Sequence, residues 1–285
     1  MVRMQSRNCL FKHQRKVDYD SVVFDSAKLA FLLLAALFLR FQAKPDDSVA
    51  VVSGMDRELL ADDLVTCTRL LVFRGVLDYS GHLSARIPGT DLVLIQSRDT
   101  SRAGLTVGDL LVVDLDGNVI EGDNPPPAET AIHTGVYRAR PDVNMVCHGH
   151  PTASTSFSMV DAPLIPMRHF FFEYPTGVAI HPDPSHIRSR EQGDAVAQTL
   201  GAAGACLLRS HGTVVVASTM KELLMDCLDL EENARTLLIA SQIGPLLPLK
   251  PAEIDALRES YKRGGYRSGK IWDHYLYLGK KAGVL

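Results

Sequence analysis

Apolar residues along this chain recur with two periods. Residues 56–74 place Leu59, Leu60, Leu64, Leu70 and Leu71 at helical spacing, and Gly75 closes the segment. Residues 81–96 hold two short strand-like runs around the turn Pro88-Gly89-Thr90-Asp91, and LLVVDLDGNVIEG (110–122) reads as a hairpin with an Asp-Gly-Asn turn. A helix is predicted over 128–140, with Pro127 and Glu129 suited to its start. A buried strand follows over 144–150 and ends at Pro151, and a helix starts at Thr152. Residues 193–200 are helical, 205–209 and 213–217 are strands, and 221–241 form a long helix. The last 40 residues are mixed and end in an aromatic tail (266–285) with Trp272, Tyr275 and Tyr277. Helices and strands interleave without regular βαβ alternation. That predicts α/β layers around a mostly antiparallel sheet, not a doubly wound fold.

Residues 1–54 depart from this pattern. Scattered basic residues lead into LAFLLLAALFL at 29–39. Eleven residues are too few for a membrane-spanning helix, which needs about 20. Asp18, Asp20 and Asp25 interrupt the lead-in that a signal peptide requires. The expectation is a dispensable N-terminal extension (1–54), with one catalytic domain over 55–285 that opens at the second methionine, Met55.

Composition narrows the function classes. A 285-residue chain that is 46% hydrophobic builds a sizeable core. A net charge of −3, with no basic stripe, argues against nucleic acid as a partner. Five dispersed cysteines with no CxxC pair point to a reducing, cytoplasmic setting and away from zinc ribbons. Cys147 falls between two histidines, but on a strand it faces the opposite side and reads as core.

Three segments carry candidate chemistry. In HGHP, alternation along a strand puts His148 and His150 on one face, where both imidazoles reach one metal ion. A solvated pair at a strand end is the plain alternative. In SHG, His211 stands between two apolar runs, where a histidine is costly unless paired or liganded. In PPAETAIHTGVY, Glu129 and His133 stand four apart on one helical face. Glu129 suits a metal ligand, an acid/base role or simply the start of a helix. His133 suits a structural partner.

The order GHLSAR, PPAETAIH, HGHP, SHG resembles the class II aldolase/adducin family over about residues 56–245. The resemblance implies a three-layer α/β/α sandwich around a central antiparallel sheet, a homotetramer, and one divalent cation on three histidines. Those match His148, His150 and His211, with the family's catalytic glutamate at Glu129, which also counts as a candidate ligand. Zinc, manganese, cobalt and iron(II) all accept such a donor set.

The departures bear on substrate. Sugar-phosphate members hold phosphate with a Gly-Asn, a Thr/Ser-Gly and a Ser-Ser pair. Here these positions read Gly81-His82, Ser97-Arg98 and Pro127-Ala128. Pro127 removes a backbone donor that a phosphate would use. Arg98 and Arg102 supply guanidinium forks suited to a carboxylate. RHFFFEYPTGVAIHPDPSHI (168–187) adds aromatics that suit either a flat substrate or the core, together with His169, His181 and His186.

This combination resembles the family's decarboxylase branch, which acts on hydroxylated aromatic acids such as dihydroxyphthalates. The expected roles are proton supply by Glu129 or His181, a second carboxylate held by Arg98 or Arg102, and further substrate binding by His82 and Ser97. The partner is a small carboxylate, with neither nucleic acid nor membrane involved. Three alternatives stay open. They are an aldolase or epimerase acting on a small carbonyl substrate, a non-haem iron oxygenase, and a non-catalytic adducin-like module.

Overall fold

The computed structural model describes residues 47–261 and 266–285. Contacts divide the chain into two units, 1–52 and 53–285, and the second holds every strand among the described residues. The apolar run at 29–39 lies outside the described residues.

The chain order is α1 (Asp47–Phe73), β1 (His82–Arg86), β2 (Leu92–Gln96), β3 (Leu110–Asp114), β4 (Val119–Glu121), α2 (Thr130–Ala139), β5 (Met145–Gly149) and α3 (Thr152–Ser156). It continues with β6 (Ala179–His181), α4 (Arg190–Leu200), β7 (Ala205–Leu208), β8 (Gly212–Ala217), α5 (Met220–Ile243), α6 (Pro251–Tyr261) and α7 (Arg267–Ala282). The eight strands form one sheet in the order β4-β3-β2-β1-β5-β8-β7-β6. Each neighbouring pair is antiparallel except β6–β7, which is parallel.

Side-chain alternation along the strands splits the core into two layers. Leu83, Ala85, Cys147, Leu207 and Val215 point to a layer that includes Leu64, Leu70 and Leu71 of α1, Leu223 and Leu230 of α5, and Trp272 of α7. Val146, Cys206, Leu208, Val214 and Val216 point to the other layer, with Ile132, Val136 and Tyr137 of α2 and Val196 and Leu200 of α4. This is the α/β/α sandwich. The helices α2 and α4 cross closely. A Cβ on Gly193 would lie 2.1 Å from the Ala131 carbonyl oxygen, so only glycine fits there.

Capping residues place the helix starts. Ser189 with Gln192 and Thr219 with Glu222 form capping boxes at α4 and α5. The α4 box moves that helix start three residues ahead of the periodic pattern. The buried carboxylate of Glu231 on α5 accepts the Ala153 and Ser154 backbone N–H groups at 3.1 and 2.9 Å. It thereby anchors α3 directly after His150-Pro151.

The aromatic tail is not a loose arm. Residues 267–282 form α7, and Trp272 is 4% exposed within the chain's own core. Arg267 pairs with Asp229 of α5 at 2.7 Å and lies over the Phe170 ring. Phe171 and Phe172 are likewise buried, and Phe171 packs in the core. The run 170–172 forms no aromatic wall at the histidines.

Candidate metal centre

Three neighbouring strands and one helix start deliver the ligands. His148 is the penultimate residue of β5, and His150 follows the strand on the same face. His211 sits in the three-residue turn between β7 and β8, in the gap between the two predicted strands. The residue before it, Ser210, has φ 55°, an uncommon left-handed conformation for a non-glycine residue. Gly212 is required after it, since a Cβ there would meet the Gly149 carbonyl oxygen at 2.4 Å. Glu129 occupies the N-cap position of α2, but its carboxylate makes no cap bond and turns towards the histidines. One ligand atom from each of Glu129, His148, His150 and His211 lies within 4.8 Å of all the others.

Hydrogen bonds fix which ring nitrogens are free. His148 Nδ1 is 2.9 Å from the Thr213 carbonyl oxygen, which only accepts, so Nδ1 carries the hydrogen and Nε2 a lone pair. Ser80 Oγ donates to Asp78 Oδ1 at 3.2 Å and accepts from His150 Nδ1 at 3.0 Å. His150 Nε2 therefore also bears a lone pair. These two Nε2 atoms face each other at 3.1 Å, an arrangement that is repulsive without a cation beside it. Both ring nitrogens of His211 are buried without a hydrogen-bond partner among the described residues. Such orphaned, converging lone pairs next to a carboxylate fit a divalent metal.

The electrostatics agree. Burial would raise the Glu129 carboxyl, but His148 and His211, when protonated, and the Ile187 N–H hold it well below the usual carboxylate range. The Ile187 N–H donates to Oε1 at 2.9 Å, while His148 and His211 Nε2 lie 3.4 and 3.5 Å from the carboxylate. Burial, then His148 and His211, lower His150 to about 4. Both residues thus stand in ligating form near neutral pH.

The centre opens into a cavity of about 510 Å³ whose walls include His82, Arg98, Arg102, Pro127, Ala128 and Glu129. His186 and Arg188 also line it, and sequence reasoning gave neither a role. His186 lies 3.5 Å from Glu129 Oε1 with its side chain 67% exposed. The irregular segment before α4 carries no periodicity that would have pointed to these two residues.

Not every expected residue gathers here. His181 lies on β6 with Nδ1 bonded to Thr199 of α4 at 3.0 Å, away from the lining of this cavity. Ser97 is fully buried, and its hydroxyl is bonded to Thr100 at 2.7 Å. Arg102 is largely a clamp. Its Nε donates to the Gly81 carbonyl at 2.9 Å, and its Nη1 donates to the Ser97, Arg98 and Thr100 carbonyls. Only Nη2 of Arg102 is left without a partner among the described residues.

Residues 62–238 match the family model of the class II aldolase and adducin N-terminal domain. The 3,4-dihydroxyphthalate decarboxylase of Arthrobacter keyseri is 28% identical over 223 residues, covering 73% of this chain and 89% of that protein. The enzyme of the same name from Rhodococcus jostii is 27% identical over 222 residues, covering 72% and 90%. The solved L-fuculose 1-phosphate aldolase from Glaciozyma antarctica superposes with a TM-score of 0.71 at 22% identity, covering 80% of this chain and 93% of that one. That likeness shows the fold. These relatives are lyases, and class II aldolases use a divalent metal. The chain belongs to the class II aldolase and adducin N-terminal domain family.

Proposed function

We propose that this protein is a divalent-metal-dependent decarboxylase of hydroxylated aromatic carboxylic acids of the dihydroxyphthalate kind. One observation carries the reading. A three-histidine and glutamate cluster, with both His211 nitrogens lacking a hydrogen-bond partner among the described residues, opens into a cavity with arginines, and with Pro127-Ala128 in place of phosphate-binding hydroxyls. Resemblance to two dihydroxyphthalate decarboxylases supports it.

His148, His150, His211 and Glu129 would hold the metal. When bound, it supplies Lewis-acid stabilisation of negative charge developing on the substrate. Arg98 and the free Nη2 of Arg102 orient a carboxylate by charge-assisted hydrogen bonds. The carbon–carbon bond to the departing carboxylate breaks, CO2 leaves with no change in oxidation state elsewhere, and the electron pair stays on the ring carbon. A proton then closes that carbon. Glu129 faces the cavity as a carboxylate, and a proton that arrives through solvent-exposed His186, 3.5 Å away, is passed across it to the ring carbon. His181, bonded to Thr199, is not given this role.

CO2 release from a panel of hydroxyphthalates and hydroxybenzoates, with and without chelator, tests the proposal. Release from at least one hydroxyphthalate, abolished by chelator and restored by metal, is the expected result. Silence across the panel with cleavage of hydroxy-aldehydes or ketoses would favour the aldolase alternative, which needs the same carbanion stabilisation. Ferrous-dependent O2 uptake would favour the oxygenase. Indifference to chelator would favour the non-catalytic module. We further propose a homo-oligomer, with the exposed apolar stretch of Ile239, Ile243 and Leu247 at the end of α5 and just beyond as one contact surface. No helix among the described residues is long and apolar enough to cross a membrane.

A further inference from the structure

The loop between β6 and α4 brings one more cation to the cavity of the metal centre. Ile187 is fully buried in the layer that holds α2 and α4, and its N–H donates to Glu129 Oε1 at 2.9 Å. The Arg188 and Ser189 N–H groups both donate to Gln192 Oε1, at 2.9 and 3.1 Å, at the capping box of α4. The backbone of Arg188 is thus pinned on both sides. Its side chain is exposed and lines the cavity, as does that of His186.

The Arg188 guanidinium makes no ion pair, hydrogen bond or ring contact among the described residues. The arginines around it are committed. Arg98 pairs with Asp99 at 3.1 Å, and Arg102 donates to carbonyls. Arg190, two residues further on, pairs with Asp116 and Asp194. Among the described residues, Asp78 is the one carboxylate besides Glu129 in the cavity wall, and it accepts the Ser80 N–H at 2.9 Å. Three guanidiniums and two carboxylates therefore line the cavity, and a divalent metal would add to the positive side. A guanidinium fork on a fixed backbone, with no carboxylate to neutralise it, is suited to an anionic ligand.

Strand order separates this group from Arg98. Arg98 follows β2, which lies on the β1 side of β5, whereas Arg188 follows β6 at the opposite edge of the sheet. His148 on β5 and His211 in the β7–β8 turn come from between them. We infer that Arg188 is a specificity-determining residue that binds a second anionic group of the substrate, so that the centre selects ring compounds bearing two carboxylates over those bearing one. Arg98 and Nη2 of Arg102 take one carboxylate. The Arg188 fork donates its N–H groups to the oxygens of the other. A cavity of about 510 Å³ has room for one such ring. That the substrate loses CO2 rests on the decarboxylase reading. The pairing of two anchors does not.

Calorimetric titration of the full-length, zinc-loaded protein with benzoate, phthalate, isophthalate and terephthalate tests this. These probes lack ring hydroxyls, so binding is read apart from turnover. In the parent, at least one dicarboxylate should bind about tenfold or more tighter than benzoate, the low end for a hydrogen bond between charged groups. Arg188→Met should remove that margin. Arg188→Lys, which keeps the charge but not the fork, should restore part of it. Residue 188 is exposed, so both variants should keep the parent's thermal midpoint. No margin in the parent, or an equal margin in Arg188→Met, would overturn the inference. So would Arg188-dependent binding of a phosphate monoester such as glycerol phosphate more tightly than every dicarboxylate. CO2 release from a hydroxyphthalate with an equal margin in Arg188→Met would remove the anchor and leave the decarboxylase reading standing. An Arg188-dependent margin without CO2 release from any hydroxyphthalate would refute that reading and leave the anchor standing.

Discussion

Replacing His133 should change how stability depends on pH, and the size of the change follows from its burial. Burial first, then His148, push the His133 imidazole down from 6.5 to about 3. Its folded-state value is depressed, so the unfolded chain binds a proton that the native chain refuses. This contribution to stability is fully present above pH 6.5 and is lost as pH falls towards 3. At about pH 5 the unfolded state carries nearly one more proton at this position. That makes stability rise by about 1.4 kcal/mol per pH unit. Across the whole window the loss is roughly 5 kcal/mol, comparable with the total stability of many domains. Urea unfolding of the metal-free protein at several values between about pH 4.5 and 6 measures the slope directly. His133→Phe should lower that slope by about 1.4 kcal/mol per pH unit, whatever it does to stability near neutral pH. Equal slopes in parent and variant would refute the idea of a buried, neutral His133.

Other expected outcomes concern the frame around the site. Gly193→Ala forces a Cβ to within 2.1 Å of a backbone oxygen and should cost about 3 kcal/mol in chemical denaturation. A cost under about 1 kcal/mol would mean that α2 and α4 separate readily. Trp272→Ala should destabilise by about 3–5 kcal/mol, because the ring packs in this chain's core. An effect confined to activity would instead make the tail an active-site arm. A chain begun at Met55 should keep the thermal midpoint and metal binding of the full protein. A large fall in midpoint would show that residues 1–54 belong to the fold.

How legible these features were depended on the interactions behind them. Strand alternation made the sheet and its two faces readable, because Val146 and Cys147 must point to opposite layers. The long helix α5 was readable from its apolar positions, and the hairpin around Gly117 from its turn residues. The strand β6 escaped notice because three residues, two of them exposed, carry no period. The helix α7 was hidden because its aromatic residues read equally well as a loose tail. At the site, the metal ligands were recoverable as motifs, since their spacing encodes a shared face. Long-range hydrogen bonds were not. Nothing in QSRDTSRAG says that Arg102 spends most of its donors on carbonyls, or that His181 is held by a helix 18 residues away.

Metal stoichiometry in the parent and in single-ligand variants bears most directly on the central assignment. Protein stripped with chelator and titrated with zinc or manganese should take up about one ion per chain. His148→Ala and His211→Ala should each lose that tight binding while remaining folded, and His181→Ala should keep it. Full metal uptake by His148→Ala or His211→Ala, or no uptake by the parent, would contradict a centre built on His148, His150, His211 and Glu129.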